Sequence, residues 1–241
     1  MTVMKPVKLN GKWDIILPEH RAARPEWLTG WEVERLDALH DTITGLGHPV
    51  VYDIGTEEGD MTGLYSMWGA TVHAFEPNPL VWPNIKAIWE ANDLPPLAGM
   101  FVGFAAATTD ILPHGIEQII TEPDIDGWPA CASGPLIGDH GFRTIFERSH
   151  DTPRTRLDDY VGASNKPDVI TMDVEGAEFE VLKGAEHTLR TYHPTLFISV
   201  HPEFMKDGFD TYEADMHLWL RNLGYVGTHL AYDHEHHWMY T

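Results

Sequence analysis

A short apolar run, Val169 to Met172, ends in Asp173, Glu175 and Glu178 just as a helical pattern begins, and this constrains the chain more than any other feature. Ala177, Val181, Leu182, Ala185 and Leu189 recur at helical spacing, so Pro167 to Tyr192 is a strand feeding a single amphipathic helix. Gly176 allows the backbone to turn sharply between them. An apolar strand of this kind needs strands on either side. Val50 to Ile54, Ala70 to Glu76, Gly99 to Ala105 and Pro194 to Val200 supply them, interleaved with helical patterns at Met61 to Trp68, Pro79 to Asn92 and Tyr212 to Asn222. Two closing strands, Tyr225 to Leu230 and Glu235 to Tyr240, follow. Such alternation predicts an α/β fold with a mostly parallel, doubly wound sheet and helices on both faces. Ligands of open α/β sheets collect outside the carboxyl ends of the strands, so carboxylates at one such end point to chemistry. Glu178 is the exception, read as a charge that complements the start of the helix.

Residues 1–48 read as an N-terminal arm and helix, with an irregular or β-hairpin-like segment over 1–30 and a helix from Trp31 to Thr44 that Gly45 and Gly47 stop. Residues 49–241 form the main domain. Within it, Thr108 to Lys166 is rich in Gly, Pro and Asp, and a connection of that length reads as a substrate lid. His140 and His150 lie in it without an identifiable partner.

Composition narrows the function classes. With 37 acidic against 16 basic residues the net charge is -21, a field that repels nucleic-acid backbones and anionic membrane surfaces. The single cysteine, Cys131, rules out an intramolecular disulfide and a cysteine-based zinc site. With no apolar run of about 18 residues, the expectation is a soluble, cytoplasmic protein whose oligomeric state stays open.

Directly after the first main-domain strand comes Asp53-Ile54-Gly55-Thr56-Glu57-Glu58-Gly59, a DxGxxxG turn feeding a helix. Glu76 closes the next strand 21 positions after Gly55, where a carboxylate can accept both hydrogen bonds of a ribose diol. Together they specify an adenosine-containing ligand. A dinucleotide would set its pyrophosphate against Glu57 and Glu58, whereas S-adenosylmethionine (SAM) brings a sulfonium and an ammonium, so the two acids favour SAM.

With these pieces in place, VVYDIGTEEGDMTGLYSMWGATVHAFEPNP at 50–79, TRLDDYV at 155–161, PDVITMDVEGAEFEVLKGAEHTL at 167–189 and PTLFISVHPE at 194–203 resemble the FkbM-type SAM-dependent methyltransferases. The resemblance covers about residues 50–205. It implies a Rossmann-like class I fold with a seven-stranded sheet, and O-methylation of a hydroxyl on a sugar or other small molecule. It further implies that Asp53, Gly55, Thr56 and Gly59 hold the methionine end of SAM, with Asp173 beside them. Glu76 and Pro77 would hold the ribose, and Phe104 and Ala105 the adenine. One departure is the acidity of Thr56-Glu57-Glu58, where the family pattern is small and neutral.

Methyl transfer from a sulfonium is an in-line displacement, and an alkyl hydroxyl needs a base or a metal to become a competent nucleophile. His201, at the end of the Pro194 to Val200 strand, is the candidate base, its ordinary pKa of about 6.5 lying near working pH. Asp173 faces the reaction and Glu175 assists. Alternatively, Asp173, Glu175 and His201 could gather one divalent cation. The tail Asp233-His234-Glu235-His236-His237 reads as a solvated hairpin in preference to a metal or substrate site, with His234 and His236 on one face and Glu235 and His237 on the other. Two competing functions are a nicotinamide-dependent oxidoreductase and an inactive methyltransferase-like binding module.

Overall fold

The computed structural model describes residues 3–110, 126–136, 152–162 and 165–241. The lid segment therefore lies largely outside the described residues, and His140 and His150 lie wholly outside them. No described helix is long and apolar enough to cross a membrane.

The chain opens with an antiparallel hairpin, β1 (Met4–Leu9) and β2 (Trp13–Pro18), as the arm predicts. Two one-turn helices, α1 (Glu19–Ala22) and α2 (Glu26–Thr29), lead into α3 (Val33–Leu46). The main sheet then alternates with helices: β3 (Val50–Ile54), α4 (Asp60–Met67), β4 (Thr71–Phe75), α5 (Trp82–Ala91) and β5 (Gly99–Phe101). After the described parts of the long segment come β8 (Val169–Asp173), β9 (Thr195–Val200), β10 (Gly227–Tyr232) and β11 (His236–Tyr240). Seven strands pair in the order β10-β11-β9-β8-β3-β4-β5, and only β11 runs against its neighbours. From β3 the order runs outward through β4 on one side and β8 on the other. The crevice beyond the β3 and β8 carboxyl ends is thus the switch point where a ligand is expected.

Alternation along the strands divides the apolar side chains between two cores. Val51 and Val169 point to the face where Leu9, Ile15 and Leu17 of the arm pack with Leu36, Ile85 and Ile88. Tyr52, Ile54, Ile170 and Met172 point to the opposite face, among Leu182, Leu189 and Ile198. Leu9 and Leu17 are fully buried, and each such side chain contributes about 2 kcal/mol. The arm is therefore a wall of the core on the same sheet face as Asp53 and Asp173.

Two elements depart from expectation. The strand read over Gly99 to Ala105 splits, because after β5 the chain leaves the sheet and β6 (Phe104–Ala105) pairs in parallel with β7 (Arg154–Thr155). Gly103 makes this exit feasible: a Cβ there would stand 2.6 Å from both the Phe101 ring and the Pro153 carbonyl oxygen. The helix read continuously to Leu189 breaks into α7 (Glu178–Lys183) and α8 (Glu186–Tyr192). Asp158, in α6 (Leu157–Tyr160), accepts from the backbone N–H groups of His187 (3.1 Å) and Thr188 (2.8 Å) and so caps α8 from a distance. At the break, a Cβ on Gly184 would lie 1.9 Å from the Ala106 carbonyl oxygen. The final helices are α9 (Pro202–Phe209) and α10 (Glu213–Asn222).

Candidate functional site

At the carboxyl end of β3, Asp53 is buried and accepts a hydrogen bond from Thr62 Oγ1. Burial raises its pKa to about 6 against the lowering effect of Thr62. Gly55 takes φ +86° with its Cα against the β8 end, where a Cβ would lie 1.9 Å from the Asp173 carbonyl oxygen. Only glycine lets the turn run this close to β8. Gly59, at φ +89°, starts α4 against Ile85. The Thr56 hydroxyl donates to the Asp53 carbonyl oxygen (3.2 Å).

Glu76 stands just past β4, buried, with Oε2 accepting from the Glu57 N–H (2.8 Å) and Oε1 from the Asn78 N–H (2.7 Å). Burial raises its pKa to about 8, although both N–H groups act to lower it. Each oxygen retains a lone pair, so the carboxylate can still accept from a ribose diol. Pro77 follows, half-buried. Ala105 is buried in the second core, and the half-buried Phe104 ring has the Arg154 guanidinium 5.9 Å from its centroid.

Glu57 and Glu58 do not present free charge to a ligand, which corrects the argument that chose SAM by their acidity. Arg21, 1% exposed, donates to both Glu57 oxygens (2.8 Å each) and through Nε to Asp60 Oδ2 (2.8 Å). Glu58 Oε2 meets His20 Nε2 and accepts from Asn84 Nδ2, both at 2.6 Å. The acidic departure from the family pattern is a docking site for the arm. Three acids within four positions call for a countercharge, and that was the available signal for Arg21.

Around the β8 and β9 ends the expected trio does gather, since donor atoms of Asp173, Glu175 and His201 lie within 4.8 Å of one another. It belongs to a larger cluster. His201 Nδ1 pairs with Glu178 Oε1 (2.8 Å) and Nε2 with Glu235 Oε2 (2.6 Å), while Asp173 and Glu175 each stand 3.6 Å from Nε2. A carboxylate cannot donate, so both ring nitrogens carry hydrogen and His201 is an imidazolium. Burial acts to lower its pKa, but hydrogen bonds to Glu178 and Glu235 and the Asp173 charge raise it to about 11. The ring therefore has no lone pair with which to act as base or metal ligand unless a carboxylate leaves it. The neutral-imidazole expectation is corrected on this point.

Glu178 is fully buried, accepts from the Gly176 N–H (3.0 Å) and orients His201, so it is no mere helix-start charge. Gly176, at φ +100°, runs close beneath the Phe204 backbone, where a Cβ would lie 2.6 Å from the Phe204 carbonyl carbon. The tail is not a solvated hairpin either: Glu235 and His237 are 3% and 0% exposed, on the shared face that strand alternation assigns them. His237 Nδ1 lies 3.1 Å from Ser199 Oγ. Burial and the Arg35 charge lower the His237 pKa to about 3.

Arg35 and Glu32 complete the cluster. Arg35, buried in α3, donates to Glu32 and to Thr171 Oγ1 (2.7 Å) beneath β8. Asp173 is held well above the ordinary carboxylate range, first by its surroundings and then by Glu235 and Glu32, despite the opposing pull of His201 and Arg35. Glu32, Arg35 and Glu235 are distant in sequence from Asp173. The alternation of the tail was the only sequence sign of any of them.

The profile of the methyltransferase FkbM domain matches residues 53–226. Hexuronic acid methyltransferase AglP of Haloferax volcanii is 27% identical over 177 residues, spanning 71% of this chain and 66% of that protein. Among solved structures, methyltransferase FkbM of Methylobacillus flagellatus superposes at a TM-score of 0.52 and 16% identity, over 80% of this chain and 43% of its own. A SAM-dependent methyltransferase of Agrobacterium tumefaciens superposes at 0.50 and 10% identity, over 100% of this chain and 70% of its own. Both superpositions agree with the α/β fold and its mostly parallel sheet.

Proposed function

Since the chain belongs to the FkbM methyltransferase domain family, we propose that it transfers a methyl group from SAM to a hydroxyl of a small carbohydrate acceptor. The Haloferax relative, named for a hexuronic acid, makes a uronate-type sugar the first acceptor class to test. One observation carries this reading. The Asp53-to-Glu76 turn and the Asp173 and His201 cluster share one crevice at the switch point of the sheet.

The residues fit the cofactor. Glu76 has lone pairs for a ribose diol, and the Glu57 N–H it accepts ties the glycine turn to it. Asp53, near the end of β3, offers a carboxylate to an ammonium group, and Asp173, at the end of the adjacent β8, stands beside it. Phe104 and Ala105 are kept as the adenine neighbours. When bound, SAM supplies an electrophilic methyl on a positively charged sulfur.

The proton of the acceptor hydroxyl then goes to Asp173. Asp173 is held above the ordinary carboxylate range by burial and by Glu235, and a more basic carboxylate is a better proton acceptor. Asp173 retains 35% of its side-chain surface, so an acceptor can reach it. The His201 imidazolium has both N–H groups taken by Glu178 and Glu235, so it contributes its positive charge beside Asp173, 3.6 Å from Nε2, where negative charge develops on the acceptor oxygen. Glu175 flanks both. A divalent ion held by Asp173 and Glu175 is the second arrangement, and in it His201 would ligate only after Glu235 moved off Nε2.

Calorimetry with SAM and S-adenosylhomocysteine tests the cofactor assignment: micromolar binding of either supports it, and no binding at millimolar ligand overturns it. A response to NAD(P)H in place of SAM would favour the oxidoreductase alternative.

A further inference from the structure

We infer that the turn of the closing hairpin, together with the end of the arm, forms a divalent transition-metal site that adjoins the methyl-transfer residues and shares Glu235 with them. Glu32, His234 and Glu235 are its ligands, and His237 faces it.

Donor atoms of Glu32, His234 and Glu235 lie within 4.8 Å of one another. Two ligands on a common ion stand at most about twice a bond length apart, about 4–5 Å for oxygen and nitrogen donors at 2.0–2.5 Å. Glu32 and Glu235 are 4% and 3% exposed, whereas His234 is open to solvent, so the site has a buried anionic floor and an accessible entrance. Arg35 balances part of the charge from beneath Glu32.

A second observation is independent of that clustering. Among the described residues, Glu235 Oε1 and His237 Nε2 are both buried without a hydrogen-bond partner. They face each other at 3.9 Å, too far to satisfy one another. Pairing of His234 Nε2 with Glu235 Oε1, 3.3 Å apart, accounts for some of the charge but leaves His237 Nε2 unmet. An orphaned buried polar atom is disfavoured by about 1–3 kcal/mol, and two that converge on one point call for a common partner. A cation fits, because one partner is an anion and the other a ring whose remaining nitrogen is engaged by Ser199 Oγ. That arrangement resembles the outer hydrogen bond that orients metal-bound histidines.

The donor set, two carboxylates with one or two imidazoles and no thiolate, selects an ion of the Mn²⁺ to Zn²⁺ series over Ca²⁺ or Mg²⁺. Trp31 stacks on His234 with centroids 4.6 Å apart and so presets the ring. The ion would join the start of α3 to the β10-β11 turn, and Glu235 would be shared, with Oε1 on the metal and Oε2 on His201.

The test uses the chelator-stripped full chain titrated with Mn²⁺, followed by calorimetry and by pulsed electron paramagnetic resonance for imidazole nitrogen coupling. The site predicts one equivalent of Mn²⁺ with nitrogen coupling. His234→Ala and Glu32→Gln should each weaken binding tenfold or more, and Glu175→Gln should leave it unchanged. Since His234 is exposed, its substitution leaves the fold intact, which a thermal melt verifies. Absence of saturable Mn²⁺ binding below 1 mM overturns the site, as does binding lost in Glu175→Gln but kept in His234→Ala. SAM titration of the same samples separates this outcome from failure of the methyltransferase reading.

Discussion

Replacing Arg21 by Met retains an unbranched chain of similar length and removes the charge that anchors the arm to the cofactor turn. Arg21 is 1% exposed, and its guanidinium serves Asp60, also 1% exposed, and both oxygens of Glu57. Breaking a buried pair from one side leaves an uncompensated charge and costs about 3–5 kcal/mol. A domain of this size loses about 2–4 °C of Tm per kcal/mol, so the melting point should fall by roughly 6–20 °C. The turn loosened by this change also carries the Glu57 N–H that Glu76 accepts, so SAM affinity should fall with stability. Thermal and urea denaturation measure the first effect, and calorimetry the second. Adding Asp60→Asn removes the more deeply buried of the two stranded charges and should recover part of the lost Tm. A melting point within about 2 °C of wild type, or no recovery in the double variant, would refute the claim that Arg21 is the countercharge of this turn.

Three further outcomes follow from the same geometry. The acid limb of the methyl-transfer rate should lie above the ordinary carboxylate range, because Asp173 must be ionised to accept a proton and its pKa is raised; Asp173→Asn should abolish that limb and lower kcat by at least about 100-fold. Glu76 has its folded pKa raised from 4.5 to about 8, so its contribution to ligand-free stability is fully present below pH 4.5 and is lost as pH rises through 8. Glu76→Gln should remove that dependence, on the order of 5 kcal/mol, from urea titrations across the window, and should also weaken SAM binding. Gly184→Ala places a Cβ 1.9 Å from the Ala106 carbonyl oxygen and should cost about 1–3 kcal/mol in chemical denaturation, even though the φ there suits any residue.

Local periodicity made the sheet legible. The runs at Val50, Ala70, Val169 and Pro194 are apolar enough to be strands in any neighbourhood, and the acids near the ends of the first three, Asp53, Glu76 and Asp173, mark the carboxyl edge of the sheet. Pairwise contacts across long separations were not legible. The acids at Glu57, Glu58 and Asp60 call for a countercharge, but nothing in the sequence says that Arg21, 36 positions before Glu57, supplies it. Glu235 reaches His201 only because β11 inserts beside β9. The role of His201 changed for the same reason: a lone histidine suggests a base, but one between Glu178 and Glu235 is held as a cation. Helical spacing ran unbroken through Gly184, and only the backbone of Ala106 and the Asp158 cap, both supplied from elsewhere in the chain, explain the break.

Whether this chain methylates a sugar hydroxyl is read out by transfer of a tritiated methyl group from SAM to a panel of free and glycosidic hexuronates, with neutral hexoses alongside. Label is expected in a base-stable methyl ether on the sugar, abolished by Asp173→Asn and strongly reduced by His201→Asn. Label released by mild base as an ester, or full transfer in Asp173→Asn, would contradict it.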